Sequence, residues 1–197
     1  TTLNYLVKVE SGTLNITARQ IASSDLELTA SDKVYDDTTD VKSYQITVKD
    51  SAIATGDDIG FHVGHIAFDA AQVNRDAQQN VIDRVVTATG VTLTGADAKN
   101  YQLVQTTRQQ GITLTTAAKI TPAELTVTLV PVDRKYDGTE VVQINQTALV
   151  DGLFAGDDVS VGVPATGTME DSNAGQNKLV SVAEAISLSG ADSGNYT

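Results

Sequence analysis

The amino-acid sequence contains two copies of one ordered set of short motifs. DKVYDDT at 32–38 returns as DRKYDGT at 133–139, and GDDI at 56–59 returns as GDDV at 156–159. LTGADAKNY at 93–101 returns as LSGADSGNY at 188–196. The offsets are 101, 100 and 95 residues, so a unit the size of one small domain is duplicated. This duplication favours a string of similar domains over one large fold around a single catalytic pocket.

A partial third copy lies at the amino-terminal end. NYL at 4–6 resembles NYQL at 100–103, and both are followed by a glycine that opens an apolar segment, at Gly12 and Gly111. We therefore divide the chain into three parts. Residues 1–17 are either the closing hairpin of a preceding repeat or the first strands of repeat 1, which runs over 18–118; repeat 2 runs over 119–197. Since the chain opens and closes at the same phase of the repeat, we expect it to be a piece of a longer array.

Short stretches of alternating apolar and polar residues dominate both copies. Side chains that face inward at every second position are typical of half-buried β-strands, and clusters of Gly, Asp and Asn between them are typical of turns. The pattern predicts an all-β chain of two tandem small β domains, sandwich-like or alternatively β-grasp-like, in an elongated rod. The alternating residues include Leu26, Leu28, Tyr44, Ile46, Val48, Leu125, Val127, Leu129, Val159, Val161 and Val163.

Two segments need a separate interpretation. Leu6 and Val9 followed by Leu14 and Ile16 predict a hairpin that turns at residues 11–12. Residues 66–85 have apolar residues close to helical spacing, but their counterpart, from about 166 to 180, contains two glycines and is poor helix material. We therefore expect residues 66–85 to be mainly strand and loop, with at most a short helical turn.

The junction between the copies, residues 119–125, is compact and contains Pro122. Proline fixes its own φ and pushes Thr121 toward extended geometry, which predicts a short, semi-rigid linker. If a repeat ends near Thr121, the second copy lacks its closing strand. Its open edge would then accept residues Leu3–Ile16 of a neighbouring chain, in head-to-tail strand donation. If each repeat instead begins near Asn4, both copies are complete and the chain is expected to be monomeric.

Composition argues against several classes of partner. The chain has 13 basic and 25 acidic residues, a formal charge of −12, and its basic residues are scattered, so we expect no nucleic-acid binding. There is no cysteine and therefore no disulfide or thiolate metal site. No stretch of the sequence predicts membrane insertion.

These motifs resemble the YDG-type repeats, related to the MBG-type repeats, of large bacterial adhesins and filamentous-haemagglutinin-like surface proteins. The match is carried by KYDGT at 135–139, GDDV at 156–159, NAG at 173–175, LSGADSGNY at 188–196 and the linker ITPA at 120–123. Repeat 1 departs from the pattern, since Asp37 stands where glycine is expected and DAQ at 76–78 replaces NAG.

The resemblance implies a non-enzymatic structural stalk or spacer in a bacterial surface or secreted adhesin, and therefore an extracellular location. Neighbouring repeats of the same chain would be its main partners. The alternative is a glycan- or host-protein-binding module of the same adhesin. Few aromatic residues (six Tyr, three Phe, no Trp) argue against a sugar platform. The family brings no catalytic residues.

The candidate sites all have a simpler structural interpretation. We expect Tyr35 and Tyr136 to close one end of a β domain with the hydroxyl bonded to backbone, and Asp97 and Asp192 to cap their own turns. The acidic pairs, which are Asp36-Asp37, Asp57-Asp58 and Asp157-Asp158, are expected to be solvated turns. No cofactor is predicted; Ca²⁺ bound by these pairs is the alternative.

Other chemistry lacks a signature. His62 and His65 lie three residues apart, on opposite faces of a strand, and would not chelate one ion. No Gly-x-Ser-x-Gly motif is present. A Lys–Asn isopeptide bond involving Lys178 and Asn177, or Lys119, has no specific pattern to support it. The sequence therefore predicts no catalytic, cofactor-binding or metal-binding residues.

Overall fold

The computed structural model describes residues 8–104 and 111–197, and these residues form an all-β protein. They contain no α-helix, only strands and four single 3₁₀ turns. The prediction of an all-β chain is therefore confirmed. Whether each domain is sandwich-like or β-grasp-like stays a prediction.

Most of the strands are short, as expected where Gly, Asp and Asn interrupt the apolar pattern every few residues, and Arg84–Thr94, with 11 residues, is the exception among the described strands. Repeat 1 and the linker contain β1 Arg19–Ala22, β2 Leu26–Ala30, β3 Lys33–Val34, β4 Tyr44–Val48, β5 Gly60–His62, β6 His65–Phe68, β7 Arg84–Thr94, β8 Tyr101–Val104, β9 Ile112–Ala118 and β10 Ile120–Thr121. Repeat 2 contains β11 Thr126–Thr128, β12 Val141–Gln143, β13 Leu149–Asp151, β14 Ser160–Gly162, β15 Thr166–Met169, β16 Val180–Ser181 and β17 Ser187–Ser189.

Pairing among the described residues produces small sheets of two to four strands. β7 pairs with β5, β6 and β9. In repeat 2, β12, β15 and β16 form one antiparallel sheet, while β14 pairs with β17 and β11 with β13. The pairs of β1 with β8 and of β3 with β10 are parallel.

Contacts divide the chain into two compact units whose sequence segments are interleaved. Unit 1 consists of the described residues of three segments, Thr1–Leu28, Ile46–His65 and Ala88–Leu114. Its buried apolar side chains include Ile21, Ala88 and Val91. β1 lies beside β8 in this unit, with Arg19 opposite Tyr101.

Unit 2 consists of Thr29–Gln45, Ile66–Thr87 and Thr115–Thr197. One buried apolar cluster lies inside it, and its members come from repeat 1, the linker and repeat 2. They are Tyr35, Phe68, Val86, Ala118, Ile120, Ala123 and Tyr196. The proposed repeat boundaries, 18–118 and 119–197, remain a prediction, since a compact unit and a sequence repeat are different divisions of the chain.

Of the two segments that were interpreted separately, the prediction for residues 66–85 is confirmed and the hairpin prediction is not. Residues 66–85 contain the end of β6, loops, an isolated bridge between Arg75 and Val81, and the start of β7, so the strand-and-loop prediction is confirmed. The hairpin around residues 11–12 is wrong for its described part, because residues 8–18 form no strand. Leu3 to Val7 lie outside the described residues.

The described residues include no helix with the length and apolar character needed to cross a membrane.

Candidate functional site

The most elaborate polar arrangement in unit 2 is built around two buried tyrosines, Tyr35 and Tyr196. The ring of Tyr35 packs edge-on against Tyr196, with centroids 5.5 Å apart, and against Phe154 at 5.6 Å. Tyr35 is 2% exposed and Tyr196 4%. Edge-to-face aromatic pairs add about 0.5–1.5 kcal/mol each beyond the area that they bury. We call Tyr35, Phe154, Asp157 and Tyr196 the tyrosine cluster.

The Asp157 carboxylate holds the polar side of this cluster together. Its Oδ2 atom accepts hydrogen bonds from the hydroxyls of both Tyr35, at 2.9 Å, and Tyr196. The Tyr196 hydroxyl also accepts a hydrogen bond from the Phe154 amide at 3.1 Å. Burial, together with donation to Asp157, raises the pKa of Tyr196 to about 12 and shifts the pKa of Tyr35 upward in the same way.

The linker lies against this cluster as a parallel strand. The Lys33 amide donates to the Lys119 carbonyl at 2.9 Å, and the Tyr35 amide donates to the Thr121 carbonyl at 2.8 Å. Ile120 is fully buried. The next residues pair with the end of repeat 2, because the Ala123 amide donates to the Asn195 carbonyl at 2.9 Å. The linker is therefore part of a core.

A second network fixes the turn that carries Tyr35. The Lys33 ammonium is buried, donates to the Asp36 carboxylate at 2.5 Å and to the Thr38 carbonyl at 2.6 Å, and lies 5.6 Å from the centroid of the Phe68 ring. Desolvation of Asp36 opposes its ionisation. Hydrogen bonds from Lys33, Lys42 and Thr38 outweigh that effect and hold the pKa of Asp36 well below its usual range.

The prediction for the tyrosine hydroxyls is wrong at Tyr35. The prediction of solvated acidic turns fits only half of the paired aspartates, since Asp37, Asp58 and Asp158 are exposed whereas Asp36, Asp57 and Asp157 are half-buried. We expected the Tyr35 hydroxyl to bond to backbone, but this hydroxyl donates to the Asp157 and Asp37 carboxylates. Asp157 is therefore a hydrogen-bond acceptor for a buried cluster rather than a solvated turn residue. In unit 1, Asp57 has a similar role and accepts from the Tyr101 hydroxyl at 2.6 Å.

The second aspartate of each Gly-Asp-Asp turn joins that turn to the Gly-Ala-Asp turn of its own repeat. In unit 1 the Asp58 amide donates to Asp97 at 2.9 Å, and the Ala96 amide donates back to Asp58 at 3.0 Å. In unit 2 the Asp158 amide donates to Asp192 at 2.9 Å, with the Ala191 amide donating to Asp158 at 3.1 Å. Neither Asp97 nor Asp192 caps its own 3₁₀ turn, so that prediction was also wrong.

The Tyr-Asp-Gly turn of repeat 2 repeats the local geometry of Tyr35 without its packing. Asp137 accepts from the Thr139 amide and hydroxyl, as Asp36 does from Thr38. The Tyr136 side chain, however, is 68% exposed. The repeated motif predicts that Tyr35 and Tyr136 are equivalent, but Tyr35 is buried and Tyr136 is exposed.

The remaining candidate site residues lie apart from the tyrosine cluster and do not form a shared site. His62 and His65 are exposed, on β5 and β6. The Lys178 ammonium pairs with the Asp171 carboxylate, and Lys119 pairs through its backbone with Asp32. Among residues 8–104 and 111–197, no three His, Cys, Asp or Glu side chains are placed to hold a metal ion.

The contacts that join the end of repeat 2 to repeat 1 were not identified from the sequence. The Asn195 side chain, 4% exposed, accepts from the Val73 amide at 2.9 Å, and the Arg75 guanidinium donates to the Gly194 carbonyl at 3.0 Å. Phe154 was also missed, since its counterpart in repeat 1 is Ala54. The small residues around Asn195 predict a turn, but they do not indicate which distant residues this turn contacts.

Comparison with known proteins agrees with this duplicated architecture. The YDG domain family matches residues 17–109 and again 121–197. The chain belongs to the YDG domain family. The two matches place the tyrosine cluster across both YDG domains, with Tyr35 in the first and Phe154, Asp157 and Tyr196 in the second. Neither a curated protein nor a solved structure matches the chain.

Proposed function

We propose that this pair of YDG domains is a non-enzymatic stalk or spacer of a bacterial surface or secreted adhesin, and that it works outside the cell. The observation that supports this function most directly is the burial of the linker. Ile120 is 0% exposed and shares a core with Tyr35 of the first domain and Tyr196 of the second. A spacer needs such a joint, because a packed junction resists bending and extension more than a flexible one does.

The polar groups of the tyrosine cluster also fit a structural role. The Asp157 carboxylate is bonded to two tyrosine hydroxyls, and the Asp36 carboxylate to Lys33 and Thr38. Buried polar groups that satisfy one another stabilise a unique packing. The net charge of −12 favours repulsion between neighbouring stalks.

Single-molecule force spectroscopy tests the spacer function directly. The chain is held between two handles and pulled, as wild type and as Tyr35→Ala. We expect the wild type to unfold in discrete cooperative steps and Tyr35→Ala to unfold at a clearly lower force, because the substitution removes the ring that joins the two YDG domains. Tyr136→Ala is the matched control and should leave the unfolding force unchanged.

Gradual extension of the wild type without steps, or equal unfolding forces for wild type and Tyr35→Ala, would contradict the proposal. The alternative function, a glycan- or host-protein-binding module, predicts a different result. The fluorescently labelled chain would then bind particular glycans or host extracellular proteins on an array, saturably and at micromolar concentration. We expect no such binding.

A further inference from the structure

Two aspartates of repeat 2 are each followed by a glycine, and their side chains are held in different ways. The pairs are Asp137-Gly138 and Asp151-Gly152, and the sequence contains no Asn-Gly pair. All four residues are exposed, and both glycines have a positive φ, 79° at Gly138 and 91° at Gly152. An aspartate before glycine can react with its own backbone, because glycine has no Cβ atom to hinder the approach. The two pairs therefore place the same chemistry in two environments.

At Asp151 the two reacting groups face each other. The Gly152 amide donates to Oδ1 of the Asp151 carboxylate at 3.0 Å. A five-membered ring closes when this amide nitrogen bonds to the carboxyl carbon that carries the accepting oxygen. Asp151 is the last residue of β13, a strand of three residues that pairs with β11 in a two-stranded sheet. Short strands at the surface open locally at a small cost in free energy, so the backbone rotation that ring closure needs is accessible.

At Asp137 the carboxylate is occupied by other donors. Its Oδ1 atom accepts from the Thr139 amide at 2.9 Å and from the Thr139 hydroxyl at 2.8 Å, and it forms an ion pair with the Arg134 guanidinium. The hydrogen bonds from Thr139, together with Arg134, lower the pKa of Asp137. An ionised carboxylate loses an oxygen less readily than a carboxylic acid does, since the oxygen must leave as water. Asp137 is therefore protected from the same reaction.

We propose that Asp151 is a modification site, at which the folded chain forms a succinimide and then isoaspartate. The Gly152 nitrogen bonds to the carboxyl carbon of Asp151, and one carboxyl oxygen leaves as water with the acid proton and the amide proton. Water then adds to one of the two ring carbonyls. Opening at the side-chain carbonyl restores aspartate, whereas opening at the backbone carbonyl gives isoaspartate, with the main chain running through the Asp151 Cβ. Water is the only other reactant, and no oxidant or reductant is needed.

The modification lengthens the backbone at a close contact. A Cβ atom on Gly152 would lie 2.7 Å from the Glu124 carbonyl oxygen, so the main chain of this turn lies close against the residue that follows the linker. Asp151 itself lies opposite Thr126 in the pairing of β13 with β11. Isoaspartate adds one carbon to the main chain before Gly152, which moves Gly152 relative to Glu124 and weakens this pairing. The chemistry goes beyond the spacer function and does not depend on it, because it needs only this turn and water.

Peptide mapping of the aged chain tests the site. The purified chain is kept folded for several weeks at physiological temperature and pH and is then digested. Liquid chromatography with electron-transfer fragmentation distinguishes aspartate from isoaspartate in the two Asp-Gly peptides. We expect at least about tenfold more isoaspartate at position 151 than at position 137, because Asp137 must first break its charge-assisted hydrogen bonds.

The unfolded chain and two variants are the controls. In concentrated urea both Asp-Gly pairs should react at similar rates, since neither carboxylate is then held by its neighbours. Asp151→Glu should remove the product at position 151, because the longer side chain can close only a less favourable six-membered ring. Arg134→Gln combined with Thr139→Val removes two donors to Asp137 and should raise isoaspartate at position 137 several-fold. All three substituted positions are exposed, so the variants should fold, as circular dichroism verifies.

Hydrogen exchange checks the structural consequence. The amides of residues 124–128 and 149–152 should exchange faster in the aged wild type than in the fresh protein, whereas aged Asp151→Glu should show no such change. Equal amounts of isoaspartate at positions 151 and 137 of the folded chain would overturn the proposal, because the turn geometry would then have no effect. So would isoaspartate that forms at position 151 only in urea, since the folded turn would then hold the reacting groups apart.

Discussion

At the scale of single residues, the aspartates and tyrosines of the YDG motifs act together as hydrogen-bonded pairs. Asp157 accepts from Tyr35 and Tyr196, and Asp57 accepts from Tyr101. A carboxylate beside a tyrosine hydroxyl favours the protonated phenol, because a phenolate there would face another negative charge. The pairing therefore links folding stability to alkaline pH.

We expect the free energy of unfolding to fall as pH rises from about 10 to 12. Tyr196 has a folded pKa of about 12, above the unfolded value near 10, so the folded state holds more protons in this range and loses stability as they dissociate. Tyr196 should account for on the order of 2 kcal/mol of this loss by linkage. Tyr35, whose pKa is also raised by burial and by Asp157, adds to it. Urea titrations at intervals between pH 8 and 12 measure it.

Tyr196→Phe provides the control for this pH dependence. The variant lacks the titrating hydroxyl, so it should be less stable than wild type at pH 8 but should lose less stability between pH 10 and 12. Parallel curves for the two proteins would contradict the assignment of the alkaline loss to this tyrosine.

Asp37 shows how one residue accommodates a departure from the family pattern. It occupies the position of Gly138 and has a φ of 57°, while Gly138 has a φ of 79°. Aspartate tolerates this left-handed region better than most residues. The turn geometry is therefore kept, and the Asp37 carboxylate additionally accepts from the Tyr35 hydroxyl at 3.3 Å.

At the scale of elements, the reciprocal contact between the Gly-Asp-Asp and Gly-Ala-Asp turns requires glycine. Gly95 and Gly190 have φ values of +102° and +107°. A Cβ atom on either residue would clash with the carbonyl of the facing aspartate, Asp58 or Asp158. This close approach lets one amide of the Gly-Ala-Asp turn donate to the carboxylate of the facing aspartate and the next amide donate to its backbone carbonyl, and it explains why both copies keep the glycine.

Two glycine substitutions in repeat 2 separate backbone strain from steric clash. Gly156 has a φ of +105° and nothing within 4 Å of its Cβ position, so Gly156→Ala should cost only the strain of its conformation, about 1 kcal/mol. Gly190→Ala adds a clash with backbone and should cost at least about 2 kcal/mol more. Equilibrium urea unfolding measures both variants, and equal losses would contradict a close-packed turn.

The sequence predicted the elements better than their contacts. Alternation and the repeat together predicted an all-β chain and a strand-and-loop structure for residues 66–85, because both signals are local. Pairing between distant residues has no local signal. Nothing around Asn195 indicates that it accepts from the Val73 amide, and the motif alone could not predict that Tyr35 is buried and Tyr136 exposed. That difference depends on which distant segments pack against each tyrosine.

At the scale of the whole molecule, the compact units and the sequence repeats divide the chain differently. Unit 2 combines the Tyr-Asp turn of the first YDG domain, the linker and all of the second domain. Ile120 belongs to one buried cluster whose members come from both domains. Local opening in proteins follows cooperative units of packing. Unit 2, rather than either YDG domain alone, should therefore open as one cooperative unit.

Hydrogen exchange of Ile120→Ala tests this cooperativity. Removing a fully buried isoleucine side chain beyond Cβ should cost about 2–5 kcal/mol. If unit 2 is cooperative, the amides of Tyr35, Ala123 and Thr197, which donate to Thr121, Asn195 and Ala123, should all exchange faster by a similar factor. Ile16→Ala, at an exposed position, should change these rates little. Faster exchange confined to residues 118–123 would mean that the linker opens alone and that the two YDG domains hold their cores independently.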